Sequence, residues 1–119
     1  IIYIYYSLRL IYKMQEISNK EIVTMSNTDI IIHDEKDNVG VVVIEKVNKN
    51  QKCNCWIMEN DKSVNIQSIT EIPLGHKIAM KDLSPGDTIL KYGHDIGKVV
   101  KDIKKGDHVH VHNVKTKKW

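Results

Sequence analysis

Residues 72–114 read IPLGHKIAMKDLSPGDTILKYGHDIGKVVKDIKKGDHVHVHNV, and one short phrase recurs in them. It runs apolar, two residues, Gly, then His or Asp, one residue, apolar. The copies are Ile72-Pro73-Leu74-Gly75-His76-Lys77-Ile78, Leu83-Ser84-Pro85-Gly86-Asp87-Thr88-Ile89 and Ile103-Lys104-Lys105-Gly106-Asp107-His108-Val109. A weaker copy lies upstream as Val47-Asn48-Lys49-Asn50-Gln51-Lys52-Cys53. Glycine, and asparagine less readily, accepts the left-handed backbone that a tight turn into a new strand requires. Each copy therefore reads as a turn that launches a strand. Successive copies are 25, 11 and 20 residues apart, too uneven for a stacked repeat. The phrase predicts a compact fold with several similar corners.

Outward from these corners, apolar residues come in short runs rich in Ile and Val, bounded by Gly, Pro, Asn and Asp, with no sustained 3.6-residue period. That pattern predicts an all-β domain of short strands and tight glycine turns. The expected strands lie at 30–33, 39–47, 53–58, 64–72, 78–80, 88–92, 98–103 and 108–114. Residues 92–97, YGHDIG, read as a loop between two of them. A phosphate-cradling glycine loop would open a helix, and no helical pattern follows.

A length of 119 residues suits one domain. Eighteen Lys and Arg against fifteen Asp and Glu give a formal charge of +3, and 28% charged with 41% hydrophobic residues is an ordinary globular balance. No basic stripe for nucleic acid is implied. The start IIYIYYSLRLIY is apolar but broken by Ser7 and Arg9, too short for the roughly 20 residues of a membrane helix. It carries no small-residue cleavage site for export either. Lys20 and Glu21 are encodable as a ribosome-binding sequence at a workable distance before Met25. We expect residues 1–24 to be translated upstream sequence and 25–119 to be the domain. Cys53 and Cys55 stand two apart in an expected strand, sharing a face without easy disulfide geometry, which favours a reducing, cytoplasmic setting. With no second Cys pair they read as buried thiols. Trp56 reads as core, and Trp119, after two lysines, as a residue free to dock on a partner.

The chemistry concentrates in His108-Val109-His110-Val111-His112-Asn113. In one strand this alternation would put three imidazoles on one face and two valines on the other. His110 and His112 would then have Cα atoms roughly 6.5 to 7 Å apart, close enough for one divalent cation. The alternation admits a solvated strand face as readily as a metal site. His76 on a turn, with Lys77 and Lys115, adds weight to a functional reading, since imidazole binds iron, manganese or zinc and lysine binds carboxylates.

Gly75-His76-Lys77, Lys91-Tyr92-Gly93 with Ile96-Gly97, and His110-Val111-His112-Asn113 with Lys115-Thr116 follow one another as in the SAF domain of the altronate/galactarate dehydratase family. Residues 33–41, HDEKDNVGV, resemble the first strand pair of that family, so the likeness spans about 29–119. The resemblance implies a β-clip fold and a part in a lyase acting on hydroxy acids. In one branch the domain is fused to a large catalytic domain; in another it is a separate small subunit, as in sulfolactate sulfo-lyase and split altronate dehydratases. The tail and the longer hairpin at 53–64 look more like the sulfo-lyase branch. The expectation is a small subunit, inactive alone, whose partner is the large catalytic subunit and whose substrate is a small hydroxy acid. It places His76 and His112 in catalysis, Lys77, Asn113 and Lys115 on the substrate, and His110 and His112 on a divalent metal, iron or manganese, shared with the large subunit. The rival expectation is a non-catalytic binding module, since similar domains also occur in sialic acid synthases and in pilus and flagellar assembly proteins.

Overall fold

The computed structural model describes residues 27–116, in which the Ile and Val runs form eleven strands and no helix. Residues 1–24, the boundary at Met25 and Trp119 lie outside the described residues. A six-stranded sheet carries the strands β1 (Ile30–Ile32), β2 (Val39–Val42), β4 (Lys52–Ile57), β5 (Lys62–Gln67), β7 (Lys77–Ala79) and β10 (His108–Val109), in the order β10-β7-β2-β1-β4-β5. Its pairs are antiparallel except β1 with β4, where Ile31 lies beside Trp56. β1 and β2 are central and buried at every position, which is why they read as continuous apolar runs rather than as alternation. A three-stranded sheet holds β8 (Thr88–Lys91), β9 (His94–Val99) and β11 (Val114–Thr116) in the order β11-β9-β8, and β3 (Lys46–Val47) pairs with β6 (Ile72–Pro73).

All four copies of the repeated phrase are the same turn. His76, Asp87, Asp107 and Gln51 each donate a backbone N–H to the carbonyl three residues back, at 2.9 to 3.1 Å. The third residue of each turn has positive φ: Gly75 82°, Gly86 94°, Gly106 90° and Asn50 65°, as a type II turn demands. The N–H of that residue then reaches a carbonyl of a distant segment: Val42, Val99, Ala79 and Ser68 respectively. The corners are thus tied to the body of the domain, and the asparagine copy is as regular as the glycine copies.

One apolar cluster lies against the large sheet, with Ile30, Val42, Cys53, Cys55, Ile72 and Ile78 among its members. A second, including Val39, Ala79, Leu83, Ile89, Val99 and Val109, joins the small sheet to the β7–β10 end of the large one. Trp56 is 1% exposed in a third, and its indole N–H donates to Asp61 at 2.8 Å. Cys53 and Cys55 are free and buried, and burial pushes their thiols up to about 11 and about 12.

Several expected strand limits are corrected. The runs 39–47 and 64–72 each break in two, and the strand expected at 98–103 begins at His94. The loop at 92–97 shrinks to Tyr92-Gly93, both with positive φ (56° and 72°), the two-residue hairpin geometry. The buried Asp37 carboxylate accepts the backbone N–H groups of Tyr92 and Gly93 at 2.9 and 2.8 Å and pins that turn. The strand expected at 108–114 is also interrupted: it is β10, a turn, then β11. Val111, which the alternation put on one face with buried Val109, is 74% exposed. The cause is Asn113, whose amide oxygen accepts the His110 N–H at 2.9 Å while its amide N–H donates to the His108 carbonyl at 2.8 Å. A side chain that bonds its own neighbouring backbone offers the chain an alternative to a ladder.

Candidate functional site

Two of the four corners bring the imidazoles together. The turn at 73–76 launches β7 and the turn at 104–107 launches β10, and these strands pair antiparallel with His108 opposite Ile78 and Val109 opposite Lys77. One step further along the register sets His110 beside His76. Their rings stack at 4.1 Å with 24° between planes, the direct cross-strand contact. His108 is reached diagonally: His76 Nδ1 and His108 Nε2 are 2.8 Å apart, so one of the two rings donates there and the other accepts. The His108 ring centroid is 5.5 Å from that of His110 and 5.1 Å from that of His112.

The electrostatics favour the neutral form of His108 and His110. Burial first, then repulsion from His76, His112 and His110, pulls His108 down to about 4 against the opposing pull of Asp107. Burial, His76, Lys77 and His112 lower His110 too. Neutral imidazole is the form that ligates a metal. His76, His108 and His110 each offer a nitrogen within 4.8 Å of the others. Nitrogens held at about 2.1 Å from one ion lie roughly 3 to 3.4 Å apart, so modest ring rotations bring this set to ligand distance. Asp107 braces the start of β10: its carboxylate accepts the backbone N–H of His108 at 2.8 Å and the Thr70 hydroxyl at 3.3 Å.

The expected residues divide. His76 and His110 enter the cluster, and His112 is exposed at its edge. Lys77 is half-buried beside it, and burial lowers its ammonium. Asn113, expected on the substrate, is 3% exposed with both ends of its amide engaged in the turn, so in this structure it positions His108 and His110 instead. Lys115 is exposed on β11 opposite Lys98, in the small sheet. His108 is the residue that the alternation placed on the right face without assigning it a role. The signal that finds it is the repeat itself, since two matching corners launching paired strands bring 76 and 108–110 together.

This small all-β domain presents, on paired corners at one edge, a group of imidazoles whose nitrogens could hold a metal ion. The sequence comparisons place it. The family model described as the altronate/galactarate dehydratase SAF domain matches residues 28–117, and the chain belongs to that family. Among its relatives, the (2R)-sulfolactate sulfo-lyase subunit alpha of Chromohalobacter salexigens is 48% identical over 91 residues, 76% of this chain and 97% of that protein. The protein of the same description from Paracoccus pantotrophus is 46% identical over 65 residues, 55% of this chain and 97% of its own length. The altronate dehydratase of Bacillus subtilis is 37% identical over 87 residues, which cover 73% of this chain but 16% of that enzyme.

Proposed function

We propose that this chain is the small subunit of a two-subunit lyase acting on a hydroxy acid, of the sulfolactate sulfo-lyase or the altronate/galactarate dehydratase type. The observation that carries the reading is the convergence of His76, His108 and His110 in a chain so similar to a sulfo-lyase alpha subunit over nearly all of that subunit's length. The reaction of this class removes a proton α to a carboxylate and expels a β substituent, sulfite or hydroxide. The three imidazoles would hold a divalent cation, iron or manganese, shared with the large subunit. When bound, it supplies Lewis-acid stabilisation of the enediolate. The chain's own contribution is a rigid, preset donor group. His112, exposed next to His108, is the side chain placed to act as acid or base on a substrate brought to this edge. Lys77 attracts the carboxylate from the strand beside the cluster. Asn113 holds the turn, and Lys115 extends the cationic surface beyond it. A domain this small, with its imidazoles at an edge, needs the large subunit to enclose the substrate, so the chain alone is inactive. Its reduced, buried thiols support a cytoplasmic setting.

The test is reconstitution with the large subunit, assaying sulfolactate, altronate and galactarate side by side. His112→Ala is expected to lose most turnover while the two subunits still co-elute. Full activity in that variant, or no lyase activity from the wild-type pair on any of the three acids, sinks the reading.

A further inference from the structure

The two most exposed large apolar side chains among the described residues meet at one place, the turn that carries His110 and His112. Val111 is 74% exposed and stands between those two exposed imidazoles. Val100 is 47% exposed, and its backbone N–H donates to the Asn113 carbonyl of the same turn at 2.9 Å. Turns favour Gly, Asn, Asp and Ser, and the bonds that hold this one come from Asn113, so its geometry asks for no β-branched residue at 111. Next to the turn, β9 and β11 pair with Val99 opposite Val114 and Lys98 opposite Lys115. Val99 and Val114 are buried, which leaves both lysines and Val100 on the outer face. Like charges directly opposite destabilise a sheet. Neither lysine forms an ion pair among the described residues, where the salt bridges are Lys46 with Glu71 and Lys62 with Glu35. The imbalance extends beyond this pair: residues 98–116 hold five Lys against two Asp, whereas 27–97 hold eight Lys against eleven Asp and Glu. A single exposed valine needs no explanation. Two at one turn, rimmed by unpaired lysines, have the apolar centre and charged rim of an interface.

We propose that Val111 and Val100, flanked by Lys98 and Lys115, are the surface by which this chain docks on an acidic face of the large subunit, with Val111 seated in an apolar recess there. The identity of that partner rests on the function proposed above; the surface itself does not. A second copy of the chain is the poorer occupant, because it would bring the same lysines against these, and like-signed faces repel. The large subunit also fits by continuity: one turn carries both Val111 and His110, so docking there lays the partner over the imidazole cluster.

The test follows association of the full chain with the large subunit in the presence of chelator, so that no shared cation contributes. Val111→Asp should weaken binding about 30-fold or more, the effect of spoiling an anchor at the centre of an interface. Lys98→Glu combined with Lys115→Glu should slow association about tenfold or more at about 0.05 M sodium chloride, and much less at about 0.5 M, where charges are screened. Val64→Asp, on β5 at the opposite edge of the large sheet from β10, should bind as the wild type does. Carbodiimide coupling, which joins an ammonium to a carboxylate in contact with it, needs no variant to fold. It should link Lys98 or Lys115 to an Asp or Glu of the large subunit, identified by mass spectrometry. The inference is overturned if Val111→Asp binds as tightly as the wild type, or if the wild-type pair does not associate without a cation. A dimer of the chain alone that Val111→Asp disperses gives the surface to a second copy and overturns it too. No turnover is read, so an inactive pair that still associates through Val111 removes the lyase reading and leaves this surface standing. An active pair whose association is indifferent to these variants removes this inference alone.

Discussion

Gly86 and Gly106 sit at the same position of the same turn, with φ of 94° and 90°, yet they are not equivalent. A Cβ on Gly86 would meet nothing, whereas one on Gly106 would overlap the carbonyl oxygen of Gln67. Gly86→Ala should therefore cost about 1 to 2 kcal/mol, the penalty for a left-handed L-residue. Gly106→Ala adds an overpacking cost of about 1 to 3 kcal/mol because backbone, not a flexible side chain, stands in the way. Urea denaturation of the two variants checks this, and equal losses would show that the close approach is not tight. His108 supplies a second residue-scale prediction. Its folded value of about 4 lies below the ordinary imidazole value, so between those limits the unfolded chain binds more protons than the folded one. Stability is then fully present above pH 6.5 and declines as the pH falls toward 4. With chelator present, His108→Gln should flatten the fall in Tm over that range, seen by calorimetry at half-unit steps.

The turn at 110–113 is the element on which the site depends. Removing the Asn113 amide leaves the His110 N–H and the His108 carbonyl without it, at about 1 to 3 kcal/mol for each group that stays unsatisfied. Asn113→Ala should lose about 2 kcal/mol or more of stability. It should also weaken divalent cation binding by roughly 10- to 100-fold, the usual effect of removing a group that orients ligands. Val111→Ser, on the same turn but 74% exposed, should change stability by less than about 0.5 kcal/mol. Isothermal titration with manganese and thermal melts measure both variants, and matching behaviour would deny the turn its positioning role. This element also marks how far the sequence could be read. The four corners, the all-β class, the central strands and the buried Cys53, Cys55 and Trp56 were legible because local turn chemistry and apolar runs dictate them. The break after Val109 was not, since His108-Val109-His110-Val111-His112 satisfies the two-residue period of a strand and only the side-chain bonds of Asn113 overrule it. The role of His108 was hidden for a related reason: it depends on which strand β10 pairs with, a non-local choice that periodicity leaves open.

At the scale of the whole molecule, the imidazoles lie at one end of the large sheet, since β10 is its edge strand and carries His108. Three protein nitrogens leave coordination positions open on a divalent cation, as sites that carry out chemistry do. If the large subunit fills one of them, cation and partner each bind more tightly in the presence of the other, and thermodynamic linkage makes the two enhancements equal. Adding manganese should then strengthen subunit association by about 5- to 150-fold, the usual range of such coupling. The same factor should separate the cation affinities of the free chain and the pair. Sedimentation of the two subunits with manganese or with chelator gives the first number, and titration of manganese into chain and pair gives the second. His108→Gln should abolish the coupling while leaving metal-independent association in place. Coupling that survives in that variant would move the shared cation away from this edge and onto the large subunit alone.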